Sequence, residues 1–266
     1  MPHFTNKVIW ITGASSGIGE ALAYKFSEEG AKLVLSSRRA QELERVRKAC
    51  VNPGNVVVLP MDLVAIDTLP EKTAEALRAF GHIDIMVHNG GISQRSLVEN
   101  TAMSVHRQVM ELDYFSYVEL TRLLLPHFLE RKAGHFVVVS SVMGKIGTPM
   151  RAAYAAAKHA LHGFFDCLRA EVSKDNVKVT ILTPGYIRTN VSLNAVTADG
   201  TRLGVTGESI GNGLPADKAA AQILKAVKAE KYEAYIGKFS GEHFALWINR
   251  LSPSAMVKIA KGFSPK

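Results

Sequence analysis

Tyr154 and Lys158 stand four residues apart in the run Tyr154-Ala155-Ala156-Ala157-Lys158. On a helix that spacing puts a phenol and an ammonium on one face, where both can meet the same ligand. Ser141 lies thirteen residues before Tyr154, at the end of a β-branched run. Together the three could move a proton on and off an oxygen. Free tyrosine keeps its proton until about pH 10, and a neighbouring cation favours the phenolate. A serine hydroxyl beside them could donate to a developing oxyanion. Such a set suits hydride reduction of a carbonyl, which leaves an alkoxide needing a proton, or the reverse oxidation. Tyr-x-x-x-Lys alone is a common accident, so the reading depends on what surrounds it.

The first strand-like run is followed by Thr12-Gly13-Ala14-Ser15-Ser16-Gly17-Ile18-Gly19, which opens a helical pattern. Glycine there lets backbone approach a phosphate, and the free amides of a helix start favour a pyrophosphate. The spacing is GxxxGxG rather than the GxGxxG of the usual dinucleotide fingerprint. The second strand-like run ends in Ser36-Ser37-Arg38-Arg39. An acidic residue there would suit the ribose of NAD, whereas guanidinium and hydroxyl groups suit a 2′-phosphate. Arg38, helped by Ser37, is the expected contact and NADP(H) the preferred cofactor; the competing reading makes these arginines solvated residues of a helix start.

The chain resembles the short-chain dehydrogenase/reductase family. The resemblance rests on the TGxxxGxG loop, on His88-Asn89-Gly90-Gly91 (an NNAG-like run with two substitutions), on Ser141, on the Tyr154–Lys158 pair and on Pro184-Gly185, in order over roughly residues 5 to 190. It implies that Gly13, Ser15, Ser16, Gly17, Ile18 and Gly19 cradle the cofactor phosphates, and that Asp62, Leu63, Asn89 and Gly90 hold its adenosine side. It implies that Lys158 also binds the nicotinamide ribose, beside Tyr154, and that Pro184, Gly185, Ile187 and Thr189 lie against the nicotinamide. Asp62 and Asn89 could equally be turn residues, and Thr189 a helix N-cap. Ser141, Tyr154 and Tyr186 are the expected substrate contacts. The family's relay asparagine aligns with Asp113, a departure that keeps a water-ordering group but adds negative charge near Lys158. Asp113 is therefore both a relay candidate and the main argument for altered activity.

The elements that position these residues follow from the pattern. Strands are expected at 7–12, 32–37, 56–59, 83–88, 135–140, 178–182 and 233–236, several of them apolar throughout, as strands covered on both faces are. Helices are expected at 17–29, 41–50, 68–80, 102–125, 152–173 and 216–229, with Gly30, Gly81 and Gly134 just past three of them as left-handed caps. Repeated strand–helix alternation means an α/β, Rossmann-like doubly wound parallel sheet of about seven strands. Its ligand belongs at the carboxyl ends of the strands. Residues 1–266 read as a single NADP(H)-binding domain. The glycine-rich stretch 190–214 is expected to be a substrate lid, or else a plain surface loop. The tail, 239–266, reads as two amphipathic helices split at Pro253.

Composition narrows the classes. The 47% hydrophobic and 21% charged content is ordinary for a globular protein, and the formal charge of +8 is spread without a nucleic-acid-binding motif. The isolated cysteines Cys50 and Cys167 suit a reducing cytoplasm, no apolar run is long enough to span a bilayer, and the nine histidines show no metal-ligand spacing. The expected protein is an NADP(H)-dependent oxidoreductase interconverting a carbonyl and an alcohol on a largely apolar small molecule. It has no metal and no nucleic-acid partner, and by resemblance forms a homodimer or homotetramer. The alternatives are an NADP(H)-binding sensor with little turnover and, less favoured, a protein that lays its basic, aromatic tail on a membrane surface.

Overall fold

The structure, a computed structural model, describes residues 3–205, 208–239 and 241–262. Elements alternate along the chain: β1 (Val8–Thr12), α1 (Gly17–Glu28), β2 (Lys32–Ser36), α2 (Ala40–Ala49), β3 (Val56–Val58), α3 (Leu69–Phe80), β4 (Ile85–His88) and α4 (Met103–Met110). A π-helical turn, Glu111–Phe115, joins α4 to α5 (Ser116–Arg131), and β5 (Gly134–Val139), α6 (Ala152–Glu171) and β6 (Val177–Pro184) follow. The remainder comprises β7 (Ile187–Arg188), α7 (Glu208–Gly211), β8 (Leu214–Pro215), α8 (Ala216–Lys228), β9 (Glu233–Ile236), α9 (Gly241–Leu251) and α10 (Pro253–Lys261).

Seven strands form one parallel sheet in the order β3-β2-β1-β4-β5-β6-β9, and β7 and β8 make a separate short pair. The order reverses between β1 and β4, so a crevice opens there beyond the strand ends, where such sheets take ligands. Every residue of β1 and β4 is buried, because helices cover both faces. On one side Leu22 and Phe26 of α1 pack with Ile223 and Val227 of α8; on the other Leu120, Leu124, Leu161 and Phe165 of α5 and α6 cover Phe136 and Val138.

Three local expectations shift. The helix expected over 102–125 continues through Pro126 to Arg131. Proline removes one helical donor, but Phe128 in the following turn is wholly buried, and burial of that ring offsets much of the loss. Gly30 and Gly81 do take positive φ, whereas Gly134 does not and is the first residue of β5. The left-handed turn after α5 is made by Lys132. Gly134 is needed for space instead, since a Cβ there would sit 2.1 Å from the Phe128 ring. The expected lid is also not uniformly irregular: Ser192, Ala195 and Val196 are buried, and single bridges pair Val196 with Gln94 and with Arg202. Gly207, part of that glycine-rich reading, lies outside the described residues.

Three histidines are buried in the neutral form. Burial pushes His88 down to about 3, and His135 and His162 to about 4. Each ring finds a hydroxyl, His88 on Thr121 at 2.9 Å, His135 on Thr180 at 2.8 Å and His162 on Ser140 at 3.1 Å. Between pH 6.5 and about 4 the unfolded chain protonates these imidazoles and the folded chain does not, so acid favours unfolding. We expect stability to fall below pH 6.5 by up to ~1.4 kcal/mol per pH unit for each imidazole. Urea midpoints at pH 7.5, 5.5 and 4.5 test this; a flat series would contradict it.

Candidate active site

The sequence places Gly13 and Gly17 where β1 turns into α1, and the structure explains both. Their φ values are +64° and +61°, left-handed backbone that favours glycine. A Cβ on Gly13 would also stand 2.7 Å from the Gly90 Cα. Thr12 and Asn89 stitch the loop to the end of β4: the Asn89 side chain donates to the carbonyls of Thr12 (3.1 Å) and Gly13 (3.3 Å), and Thr12 Oγ1 accepts from the Asn89 and Gly90 amides. Ser16, at the N-cap of α1, makes no side-chain cap. The first amides of that helix are thus available to an anion. Gly19 does not line the cleft. It lies behind the loop, where a Cβ would stand 2.4 Å from the Gly13 carbonyl oxygen.

All the other site residues expected from the sequence line a single cleft of about 1050 Å³. At one end Ser15, Ser16, Gly17 and Ile18 face Ser37 and Arg38 of the second strand end, with Asp62 and Leu63 after β3. Arg39, which sequence reasoning passed over, donates to Ser15 Oγ (2.9 Å) and Ser16 Oγ (3.1 Å). The Arg38 guanidinium, exposed beside it, has no hydrogen-bonding or ionic partner among the described residues. Pro184, Gly185, Ile187 and Thr189 close the cleft after β6. Tyr186 is held there by α9, whose Glu242 accepts from the Tyr186 amide at 3.1 Å.

At the other end Ser141, Tyr154, Lys158 and Asp113 come together. Ser141 Oγ accepts from the Met143 amide at 3.1 Å, which leaves its own proton to donate elsewhere. Tyr154 is half-buried against Val105, Val109, Ala157 and Val196. The Lys158 ammonium is buried, 3.2 Å from Asp113 Oδ2, 3.3 Å from the Val139 carbonyl, and 5.3 and 5.6 Å from the ring centres of Tyr117 and Tyr154. Burial opposes its charge, yet Tyr117, Asp113 and Tyr154 together hold it protonated well above an ordinary lysine. Asp113 has one cation to set against complete burial, and burial wins, raising its carboxyl above the usual range. Its Oδ1 accepts from the Ile92 amide at 2.8 Å. The π-helical turn that carries Asp113 lies next to α4 and α6, and turns of this kind gather at functional sites.

The fold and cleft define a dinucleotide-dependent enzyme class, and comparison settles which. The family model described as short chain dehydrogenase matches residues 7–199, and the chain belongs to the short-chain dehydrogenase/reductase family of oxidoreductases. It is 41% identical to the Mus musculus dehydrogenase/reductase SDR family member 7B over 97% of this chain and 81% of that protein. It is 43% identical to the Anopheles gambiae dehydrogenase/reductase SDR family protein 7-like over 97% and 83%. The crystal structure of a short-chain dehydrogenase from Streptomyces avermitilis superposes with a TM-score of 0.83 at 28% identity, over 97% of this chain and 98% of that one. The family uses NAD(H) or NADP(H), acts generally on small molecules and often oligomerises. Among the described residues no helix is long and apolar enough to cross a membrane.

In the described part of the 239–266 tail run two helices, α9 and α10; residues 240 and 263–266 lie outside the described residues. One face packs over the site: Ala245 and Met256 line the cleft, and Met256 is buried with Val142 and Ile146. The outer face leaves Phe244, Trp247, Leu251 and Val257 exposed.

Proposed function

We propose that this protein is an NADP(H)-dependent carbonyl reductase or alcohol dehydrogenase in which Tyr154 is the general acid and base. The observation that carries the reading is the Tyr154–Lys158–Asp113 arrangement at the end of a cleft whose other end is a glycine cradle at a helix start with no side-chain cap from Ser16. When bound, the dinucleotide supplies or accepts the hydride at the carbonyl carbon. Ser141 donates to the substrate oxygen and Tyr154 gives it the phenolic proton. The buried Lys158 charge then stabilises the phenolate left behind. Asp113, fixed by the Ile92 amide, orients the ammonium and stands in the family's relay position. In oxidation the same groups act in reverse.

Support for NADP(H) comes from Arg38, whose guanidinium has no partner among the described residues while Arg39 braces the loop serines. The substrate end is lined by Val142, Met143, Ile146, Val191 and Met256, which fits an apolar body. Tyr186 lines it, as do Val191, Asn194, Val196 and Ile210 of the 190–214 segment, to which we assign the role of a lid. We read the whole chain as one domain, assembling as a homodimer or homotetramer in keeping with its family. The cysteines are free, Cys50 buried and Cys167 exposed, consistent with a cytoplasmic setting.

The test is NADPH consumption over a panel of ketones, aldehydes and quinones, with NADH in parallel. Turnover with NADPH is expected, and tight NADPH binding without turnover on any compound would favour the sensor reading. Arg38→Asp is expected to lower the NADPH-over-NADH preference by about 10²-fold, equivalent to losing one or two charge-assisted bonds to phosphate. Ratios of kcat/KM for the two cofactors report it; an unchanged ratio would remove Arg38 from the phosphate site.

A further inference from the structure

Three arginines line the substrate end of the cleft, and the expected site residues include none of them: Arg95 after β4, Arg151 at the start of α6, and Arg202 in the 190–214 segment. A small backbone framework gathers them. The Arg95 amide donates to the Val196 carbonyl at 2.8 Å, the Val196 amide donates to the Ser93 carbonyl at 2.9 Å, and Val196 bridges Arg202. The Arg151 guanidinium donates to Ser93 Oγ. Met150, immediately before it, holds a left-handed φ of +64°, and its carbonyl accepts from the Ser96 amide. Non-glycine residues in that region carry strain and collect at functional sites.

No carboxylate answers this charge. Among the described residues none of the three arginines forms an ion pair. The cleft's own acids are engaged: Asp113 by Lys158 and the Ile92 amide, Asp62 by the Val64 amide, Glu242 by the Tyr186 amide and the Tyr235 hydroxyl. Arg39 serves the opposite end. Burial first, and then Arg95, work against the charge on Arg151. The location adds to the cost, because α6 has no acidic residue in its first turn and a helix N-terminus already repels a cation. An anion would relieve each of these. A half-buried guanidinium three residues before Tyr154, bonded to one serine hydroxyl and to no carboxylate among the described residues, is hard to account for as packing alone.

We infer that Arg151, Arg95 and Arg202 form an anion subsite next to Tyr154, and that the true substrate joins an apolar body to a carboxylate or phosphate. The inference rests on the reductase reading and refines its substrate class. Arginine suits either anion, because its planar fork can bond two oxygens at once.

Two measurements on the full chain decide it. In the first, 9-oxodecanoate and its methyl ester are compared as substrates with NADPH, for the wild type, Arg151→Gln and Arg95→Gln. We expect the acid-to-ester ratio of kcat/KM to favour the acid at least tenfold and to fall about tenfold in each variant. In the second, calorimetry follows decanoate, decyl phosphate and decanamide binding to protein saturated with NADP⁺. The two anions are expected to bind at least tenfold tighter than the amide, to weaken with added salt, and to lose that advantage in the variants; whichever binds tighter identifies carboxylate or phosphate. Arg95 is less buried than a core residue, so Arg95→Gln serves if Arg151→Gln does not fold. Reduction of ester and acid alike, with no selective anion binding, overturns the subsite and leaves the reductase. Selective anion binding without turnover of these two compounds or of any member of the carbonyl panel keeps the subsite and overturns the reductase. Equal binding of amide and anions overturns the subsite whatever turns over.

Discussion

Tyr154→Phe is expected to lower kcat by about 10³-fold, the usual worth of a positioned general acid, with NADPH affinity changed by no more than about threefold. The size follows from chemistry that phenylalanine cannot perform, since the variant loses its only dissociable proton. Its ring keeps the same packing against Val105, Val109, Ala157 and Val196, so stability is expected to hold. The relevant comparison is single-turnover NADPH oxidation beside fluorescence titration of the cofactor. Turnover within tenfold of the wild type would mean that another group supplies the proton, and Ser141 would be the next substitution. A wild type that binds NADPH and turns over nothing would make the comparison idle and the sensor reading the better one.

The second large effect concerns Asp113. Asp113→Ala leaves the Lys158 ammonium buried with its carboxylate gone and the Ile92 amide without its acceptor. Breaking a buried pair from one side is expected to cost about 3–5 kcal/mol, read as a fall in the urea midpoint at unchanged slope. Asp113→Asn should cost distinctly less, because an amide oxygen can still accept from Ile92. The conservative variant also separates structure from catalysis. With the carboxylate neutralised, more of the Lys158 charge acts on the Tyr154 phenolate, so the limb of the kcat–pH profile that depends on Tyr154, falling with pH in carbonyl reduction and rising in alcohol oxidation, should move toward acid. Tyr117, Tyr154 and Asp113 are the groups that face Lys158 in this pocket, and none of the others is changed by the substitution. A profile that stays in place while stability falls would make Asp113 a structural counter-ion with no part in proton transfer.

Much of this molecule could be read from the chain. Each of the seven strands lies within two residues of its expected bounds, because apolar runs of that kind have few other stable fates than strands covered on both faces. The glycine loop, Ser141 and the Tyr154–Lys158 pair were legible for a related reason: each depends on local spacing at a strand end or along one helix face. Asp113 was visible as a departure at an aligned position, but nothing local told whether it meets Lys158 or solvent.

What remained hidden depends on closeness between distant parts of the chain. Arg151 and Ser93 touch across 58 positions, and Asn249 of α9 donates to the Lys145 carbonyl across 104. No periodicity encodes such meetings; strand order and crossover packing do. Even so, a faint signal existed for Arg151, a cation at a helix start with no acid in the first turn, which violates the usual charge pattern. The sequence by itself determined the α/β class and singled out the glycine loop and the Ser141, Tyr154 and Lys158 set to which we assign cofactor binding and proton transfer, since these follow from short-range pattern and backbone geometry. The tertiary structure alone decided that Asp113 is buried against Lys158, that α9 and α10 cover the cleft, and that three arginines share its substrate end. Those facts arise from long-range packing, where burial fixes which charges must find one another.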